Sequence, residues 1–346
     1  MPRGTLVFAS GNEPEIKRDS WGRYRLPTPG DPKGTVKSWT RVTTFAKVLD
    51  DTTNLTKWMG RMIVKGLADD DTLIVEAQDA TLNDFAKLNK IAEKAKDNAG
   101  ANDAASNGTA IHTLTERTDR GENPRVPTKW KKHLDGYKRL KETSGLEFPV
   151  EYIERVVAIP ELGVAGTFDR VCIVKQDMTV EVGGKVHKLK KGEAVVGDVK
   201  SNKRLDYAQL AIAVQLATYS KADCVWNLRD EKWDPLPPLN QKVGFIFHLP
   251  SDTGDAKLYA IDLERGWEAA QVCKAVRSLR SYKDLVEEID EPTNPFGEQT
   301  EDWSEMIGEA NSQRELSLIW KQANAMGEWT RELELEGKRR LKELYG

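Results

Sequence analysis

An acidic residue and a lysine at the end of a buried strand constrain this chain more than any other feature. The apolar run Ala194-Val195-Val196 predicts the strand, and Gly197-Asp198-Val199-Lys200 closes it. A second acid, Asp169, follows Gly166-Thr167-Phe168 in what we interpret as a neighbouring strand. Carboxylates hold hard divalent cations, and a lysine beside them can orient water or stabilise developing charge. This combination suits metal-assisted phosphodiester hydrolysis, although Asp-x-Lys by itself is common on solvated strands.

A helix predicted over residues 107–116 adds a third element upstream. Gly108, His112 and Glu116 are spaced at i, i+4 and i+8, so they lie along one helix face. The glycine would let another backbone or a ligand come close to that face. We therefore expect this face to point towards the two strands.

A fourth element follows the Asp-x-Lys strand. Residues 205–220 predict a second helix, on which Gln215 and Tyr219 are four residues apart and share one stripe. Amide and phenol groups hydrogen-bond phosphate without carrying charge. Both side chains are therefore candidates for supporting the site.

The order and content of these motifs resemble the RecB-like branch of the PD-(D/E)XK nuclease superfamily. Its pattern is Gly-x-x-x-His on a helix, Gly-x-x-Asp and Asp-x-Lys on successive strands, then Gln-x-x-x-Tyr on a helix. Trp39-Thr40-Arg41-Val42-Thr43-Thr44-Phe45 and Leu55-Thr56-Lys57-Trp58 are similar to the entry segment of single-domain phage exonucleases and of the mitochondrial genome maintenance exonuclease. The resemblance covers roughly residues 38–262. It implies an α/β, restriction-endonuclease-like mixed central sheet flanked by helices.

The resemblance also implies roles for individual residues. Lys200 would position or deprotonate the attacking water, with a pKa lowered beside the cation. Gln215 and Tyr219 would hold the lysine or contact the cleaved strand. The implied metal ligands are one imidazole, two carboxylates and one backbone carbonyl: His112, Asp169, Asp198 and Val199. This donor set would accept Mn²⁺ at least as well as Mg²⁺.

Two further acids have competing interpretations. Glu154 matches a position that often carries Glu in the family, but a surface acid within Glu151-Tyr152-Ile153-Glu154 explains it nearly as well. Glu116 needs no explanation beyond a helix surface. The separation between Asp169 and Asp198 departs from the family, so we predict a hairpin insertion over 176–192 that leaves the strands adjacent.

Cysteine usage and motif content limit the cofactors. Cys172, Cys224 and Cys273 are too few and too scattered for a disulfide framework, a zinc site or the four-cysteine iron–sulfur cluster of some RecB-like nucleases. No Gly-x-x-x-x-Gly-Lys-Ser/Thr loop is present, so no nucleotide is expected. A recombination or helicase partner would therefore act in trans.

A net charge of −3 does not exclude DNA as a partner, because phosphate attraction is local and screened over about 8–10 Å. Lys203 and Arg204 flank the predicted site, and we expect them to contact phosphate. Residues 125–142 are basic and include Lys129, Lys131 and Lys132, with Trp130 and Tyr137 among them. A solvated helix face explains this second stretch equally well.

Composition shifts suggest four segments. These are an N-terminal arm over 1–37, the nuclease-like domain over 38–286, an acidic Pro-containing linker over 287–302 and a small helical hairpin over 303–346. The chain has no long apolar segment and its first ten residues are too short for a signal sequence, so we expect a cytoplasmic protein without a membrane partner.

Three functions stay open at this point. The first is a metal-dependent DNA exonuclease in phage recombination or DNA processing. The second is an endonuclease of the same fold that cuts junctions or flaps. The third is a nuclease-derived module that binds DNA or is structural, for which an intact His, Asp, Asp and Lys set would be accidental.

Overall fold

The computed structural model describes residues 16–31, 33–283, 285–286 and 302–346, apart from the side chain of Ala104. The chain divides into two compact units, Met1–Tyr282 and Lys283–Gly346. Residues 1–15 of the predicted arm and 287–301 of the predicted linker lie outside the described residues. The first unit is an α/β structure with a mixed central sheet flanked by helices, which confirms the predicted fold class.

The strands of the first unit are short and mostly apolar. In chain order they are β1 (Tyr24–Pro27), β2 (Val36–Arg41), β3 (Leu146–Glu147), β4 (Ile153–Ile159), β5 (Val164–Val174), β6 (Met178–Val182), β7 (Lys185–Leu189), β8 (Ala194–Lys200), β9 (Cys224–Asn227), β10 (Lys232–Pro235), β11 (Val243–His248) and β12 (Lys257–Asp262).

The helices of the first unit precede and follow the central strands. They are α1 (Val42–Ala46), α2 (Thr53–Ala68), α3 (Asp71–Gln78), α4 (Phe85–Asn98), α5 (Asp103–Asp119), α6 (Thr128–Thr143), α7 (Gln209–Tyr219) and α8 (Leu263–Leu279). Three short 3₁₀ turns cover Lys47–Leu49, Val150–Tyr152 and Pro160–Leu162. None of the described helices combines the length and apolar content that crossing a membrane requires.

The central sheet places β5 and β8 next to each other. Its main strand order is β10-β9-β4-β5-β8-β11-β12, with β2 and β3 also paired to β5. The β5–β8 pair is antiparallel and the β8–β11 pair is parallel. The predicted hairpin insertion is confirmed, since β6 and β7 form a separate two-stranded sheet between the two central strands. The site therefore keeps its two strands in contact despite the insertion.

Apolar side chains fill both faces of the sheet. Strand alternation directs Val196 and Ile246 towards α7, while Val195 and Phe247 point to the opposite face with Trp130 and Tyr137 of α6. Tyr137 is fully buried and Trp130 is nearly so. These aromatic side chains are therefore core residues and not surfaces for stacking bases.

Part of the segment predicted as an N-terminal arm belongs to the sheet. β1 pairs with β2, and β2 runs parallel to β5. Tyr24, Leu26 and Trp39 are buried, and the Trp39 indole N–H donates to the Leu26 carbonyl at 2.9 Å. The sequence did not reveal this packing because the segment is rich in Gly, Pro and charge.

Residues 303–346 of the second unit contain three helices where the sequence predicted two. They are α9 (Trp303–Glu309), α10 (Gln313–Ala325) and α11 (Arg331–Tyr345). Ser312 begins α10 by accepting from the Glu315 N–H, so a break occurs there as well as at Gly327, whose φ is 75°. Trp303, Ile307 and Ile319 are buried in its small core.

Candidate active site

The two predicted aspartates lie where the β5–β8 ladder opens. The ladder pairs Arg170 with Gly197, and Asp169 and Asp198 come next on the two strands. The Val199 N–H donates to Asp169 Oδ2 at 2.7 Å, so its acceptor is a side-chain oxygen and not a backbone carbonyl of the ladder. Both carboxylates are consequently held side by side at the sheet, as predicted. The Val199 carbonyl as a metal ligand stays a prediction.

Helix α5 brings His112 to the same place. His112 Nδ1 lies 3.4 Å from Asp169 Oδ2. One turn earlier, a Cβ on Gly108 would lie only 3.1 Å from Ser201 Oγ, in the loop after β8. The glycine therefore lets α5 approach that loop closely, which is the role predicted from its spacing to His112.

Glu154 completes a group of three potential ligands. One ring nitrogen of His112 and one carboxylate oxygen each of Glu154 and Asp169 lie within 4.8 Å of one another. Glu154 has a φ of 50° within β4, a left-handed conformation that costs about 1–3 kcal/mol for a non-glycine residue. Such strain concentrates at functional sites, and this position turns the Glu154 carboxylate towards Asp169. Glu154 therefore lies with the other candidate ligands, and its role as a metal ligand stays a prediction.

Asp198 is held differently from the other carboxylates. Its Oδ2 lies 2.5 Å from Lys200 Nζ, and the group of three includes Glu154 in place of Asp198. One cavity of about 360 Å³ is lined by His112, Asp169, Asp198 and Lys200, together with Gln215 and Tyr219. Glu154 does not line it. The site thus contains an imidazole, three carboxylates and a lysine.

The carboxylates affect one another strongly. Burial and the charges of Asp169 and Glu116 raise the pKa of Glu154 well above 4.5. Burial also raises the pKa of Asp198, although Lys200 opposes this. Burial acts in the same direction on Asp169, but His112 and Lys200 outweigh it and the pKa of Asp169 is lowered. A divalent cation would relieve this crowding of negative charge, so the donor set fits such an ion.

In the metal-free protein the pKa of Lys200 is shifted in the direction opposite to that predicted beside a bound cation. Burial alone would lower its pKa, but Asp198 and Asp169 outweigh burial and the pKa is raised above 10.5. Three acids surround this lysine in the metal-free protein. The lowering expected beside a bound cation stays a prediction. A charged Lys200 is suited to stabilising negative charge and orienting water more than to removing a proton.

Gln215 and Tyr219 face the cavity from α7, as their spacing predicted. A Cβ on Gly166 would lie 2.6 Å from Tyr219 Oη, so only glycine at this position of β5 admits the phenol. Burial raises the pKa of Tyr219 well above 10.0, and the phenol stays protonated. It can therefore act as a hydrogen-bond donor in the cavity.

Glu116 lies at the edge of the group. Its Oε1 is 3.1 Å from Nε of Arg120, the residue that follows α5, and the side chain is half-buried. Its charge contributes to the raised pKa of Glu154. We therefore interpret Glu116 as an electrostatic neighbour of the site.

Several residues at the cavity had not been identified from the sequence. Arg41 and Arg18 line it, as do Thr43, Tyr24 and Thr167. Tyr24 Oη lies 3.0 Å from Thr167 Oγ1, which joins β1 to β5 beside the site. The only signal for Arg41 was its place within the family-like segment 39–45. Arg18 had none, because its segment was interpreted as an arm.

A buried ionic group lies next to the site, around Arg170 and Asp119. Arg170 Nη1 lies 2.9 Å from Asp119 Oδ2, and both side chains are fully buried. Tyr137 donates to the same carboxylate at 2.7 Å, and Lys141 Nζ is 2.8 Å from its other oxygen. These contacts join the end of α5 to α6 and to β5, next to Asp169. The sequence did not reveal this group, because its members come from segments that are distant along the chain.

The predicted DNA contacts are all exposed, and some have partners. Arg204 pairs with Asp206, and Lys132 Nζ lies 2.9 Å from Asp255 Oδ1. Lys129 donates to Asn107 Oδ1 at 3.3 Å. Lys203 and Lys131 have no ion-pair partner among the residues that the structure describes. Exposure is consistent with phosphate binding but equally with a solvated surface.

Comparison with known proteins identifies no family for this chain. No protein-family model matches it, and neither does any curated protein. The function must therefore be argued from the geometry of the site.

Replacing Glu154 by Gln should stabilise the metal-free protein at neutral pH and weaken its response to Mn²⁺. The pKa of Glu154 is higher in the folded chain than the unfolded value of 4.5, so ionisation favours unfolding once the pH rises above about 4.5. Gln cannot ionise, and its Tm should exceed that of the wild type at neutral pH but match it near about pH 4. A change of 1 kcal/mol would move Tm by about 2–4 °C, which scanning calorimetry resolves.

The matched control for this prediction is the exposed Glu151→Gln, three residues away. It should leave both the Tm and the gain in Tm on adding Mn²⁺ unchanged. An equal Mn²⁺ gain in Glu154→Gln and in the wild type would remove Glu154 from the metal site.

Proposed function

We propose that this protein is a metal-dependent deoxyribonuclease that hydrolyses phosphodiester bonds, acting as an exonuclease in phage DNA recombination or processing. One observation carries the proposal: His112, Glu154 and Asp169 offer ligand atoms within 4.8 Å of one another. His112 and Asp169 line one cavity with Asp198 and Lys200. The resemblance to RecB-like nucleases supports the same reaction from the motif order. Together they favour hydrolysis over a structural role.

His112, Glu154, Asp169 and Asp198 would hold Mg²⁺ or Mn²⁺. An imidazole nitrogen among carboxylates suits Mn²⁺ at least as well as Mg²⁺. When bound, the cation supplies Lewis-acid activation of phosphate and water. The buried carboxylates stay charged only with nearby cations, and Asp169 has His112 and Lys200 for this purpose.

Lys200 orients water and stabilises negative charge at the phosphate. Its Nζ lies 2.5 Å from Asp198 Oδ2, which fixes the ammonium at the end of β8. Tyr219 can donate from α7, and Gln215 lies one turn before it on the same helix; both line the cavity. These groups can bind phosphate oxygens without moving the metal ligands.

Arg41 and Arg18 supply positive charge at the mouth of the site. Both line the same cavity, and Arg41 has no ion-pair partner among the described side chains. Guanidinium groups bind phosphate through paired N–H donors. The hydroxyls of Thr43 and Thr167 add uncharged donors close by. We interpret this edge as the contact for the phosphates that flank the cleaved bond.

The proposed substrate also sets the surroundings in which the protein would act. DNA processing places it in the cytoplasm, which is the host's if the gene belongs to a phage. The chain carries no nucleotide-binding loop, so a helicase or a recombination protein would act in trans.

Digestion of end-labelled linear DNA beside covalently closed circles tests the proposal. We expect loss of linear DNA with Mn²⁺ or Mg²⁺ and none with chelator, and the labelled end gives the polarity. Cleavage of circles would instead identify an endonuclease. Binding of DNA without any cleavage, with either metal, would reject the enzyme and leave a binding module.

Changing Lys203 and Arg204 together to Gln should weaken DNA binding without lowering turnover at saturating DNA. Both are exposed in the loop after β8, a few residues from Lys200. Each lost phosphate contact should reduce the slope of log K against log salt by about 0.7–0.9. The control is Lys188→Gln with Lys191→Gln, two exposed lysines at the β6–β7 insertion. An unchanged salt slope in the Lys203 and Arg204 variant would assign these residues to the solvated surface.

A further inference from the structure

A second and larger concave surface lies beside the proposed active site. It encloses about 920 Å³ and is separate from the cavity that contains His112 and Asp169. Its floor is formed by β11 and β12, and its walls by the loop after β8, the start of α7, the tip of the β6–β7 hairpin and Arg265 of α8. We call this surface the β12 groove. Its volume is in the range of ligand sites, about 300–1,000 Å³.

The groove continues the sheet face that carries the proposed catalytic residues. Strand pairing sets Asp198 beside Ile246, and Ile246 beside Tyr259. The next row on the same face runs from Lys200 through His248 to Lys257. Since strands are about 4.8 Å apart, Tyr259 and Lys257 lie two strands, or roughly 10 Å, from the site. The groove and the proposed active site are therefore neighbours on one face of the sheet.

The floor of the groove holds two buried acceptors that lack hydrogen bonds. His248 is 6% exposed; its Nε2 lies 2.7 Å from the Asn202 carbonyl and must donate to it, which leaves Nδ1 as an acceptor. Within the described structure Nδ1 has no partner, nor does Asp262 Oδ2, whose nearest cation is Arg265 Nε at 3.7 Å. Buried polar atoms are nearly always satisfied, so these two call for a ligand with N–H donors.

The rim of the groove offers an aromatic ring and unpaired cations. Tyr259 is 40% exposed and lies 5.9 Å from the His248 ring, between centroids. Lys203 and Lys257 are exposed and have no ion-pair partner in the part of the chain that the structure describes. The ligand therefore combines a flat ring with N–H donors and an anionic group. Nucleotides have all three features.

We propose that the β12 groove binds an unpaired segment of a nucleic-acid strand next to the bond being cleaved. A base stacks on Tyr259 and donates to His248 Nδ1 or Asp262, and the adjoining phosphates contact Lys203 and Lys257. This inference rests on the proposed function and extends it, because it makes the substrate single-stranded on this side of the site. Paired bases could not reach the acceptors on the floor.

Binding of a short fluorescent single strand to the full chain, in chelator to prevent cleavage, tests the groove. Tyr259→Ala should weaken binding about 5-fold or more, as expected for loss of one base–aromatic stack, while Tyr259→Phe keeps the ring and should retain it. Tyr282→Ala is the matched control, because this exposed tyrosine follows α8, whose end lies about 21 Å along the helix from Arg265. An abasic strand of equal length should bind to wild type and Tyr259→Ala equally. Unchanged affinity of Tyr259→Ala for the normal strand would overturn the proposal.

Hydrolysis of a small chromogenic phosphodiester, which is too short to reach the groove, is measured in parallel with Mn²⁺. Activity on the diester together with an unaffected Tyr259→Ala would reject the groove and keep the nuclease. Weakened binding by Tyr259→Ala without any hydrolysis of diester or DNA would keep the groove as a nucleic-acid site and reject the nuclease. The two failures are therefore distinguishable.

Discussion

Replacing Asp198 by Ala is expected to abolish DNA cleavage while leaving DNA binding detectable. Asp198 is 1% exposed and lies at the opening of the β5–β8 ladder, next to Asp169. Its loss removes charge from the proposed metal site and leaves Lys200 without its 2.5 Å partner. Metal-ion stabilisation amounts to several kcal/mol, so we expect cleavage to fall by about 10³ or more. The phosphate contacts proposed for Arg41 and Lys203 are untouched by this change.

Asp198→Asn and Asp177→Asn sharpen this test. Asp198→Asn keeps the shape of the buried side chain but removes the charge, so it should be as inactive as Asp198→Ala if charge is what matters. Asp177→Asn changes an exposed aspartate that pairs with Lys190 outside the site, and it should cleave like the wild type. Initial rates of release of labelled product give the comparison. Full activity of either Asp198 variant would reject the proposed site.

Replacing Lys200 by Ala is expected to lower turnover by about 10² or more at saturating DNA and metal. The side chain lines the cavity, and its pKa is raised because Asp198 and Asp169 outweigh the effect of burial. In the metal-free protein this direction favours the charged ammonium, and a charged lysine at this place can stabilise charge or orient water, a contribution of this size. Single-turnover rates with excess protein measure the chemical step separately from DNA binding.

The Lys203 and Arg204 double variant is the contrasting case for Lys200→Ala. Those exposed residues should change affinity and its salt dependence, whereas Lys200 should change the rate at saturation. Lys200→Arg keeps the charge but replaces a compact ammonium with a planar fork, so partial activity is expected. If Lys200→Ala matched the wild type at saturating DNA, the lysine would have no part in the chemistry.

The two outcomes together separate the three candidate functions. Loss of cleavage in both variants, with DNA binding preserved, supports a hydrolytic enzyme of either the exonuclease or the endonuclease kind. The labelled linear and circular substrates then distinguish those two. A nuclease-derived binding module would show no cleavage in the wild type, and the variants would change nothing but affinity.

Local sequence patterns determined much of this protein. Apolar runs predicted β5 and β8, and the i, i+4 spacing on α5 and α7 predicted which side chains share a face. The pair Gly183-Gly184 predicted the turn of the hairpin insertion, and both glycines adopt positive φ in the structure. Strand and helix periodicity are local properties, and turn chemistry is as well. Each can be identified without knowing the rest of the chain.

Only the tertiary structure decided which charges meet. The sequence left Glu154 between a surface acid and a ligand; its φ of 50° and its place beside His112 and Asp169 come from the pairing of β4 with β5. The burial of Arg170 against Asp119 and the entry of Arg18 and Arg41 into the cavity are long-range contacts as well. The pKa of Lys200 is raised for the same reason, since its sign depends on how many carboxylates the fold gathers around it. A residue's own neighbours in sequence set its conformation, but the electrostatic energy of a buried charge depends on groups that the fold brings together from distant parts of the chain.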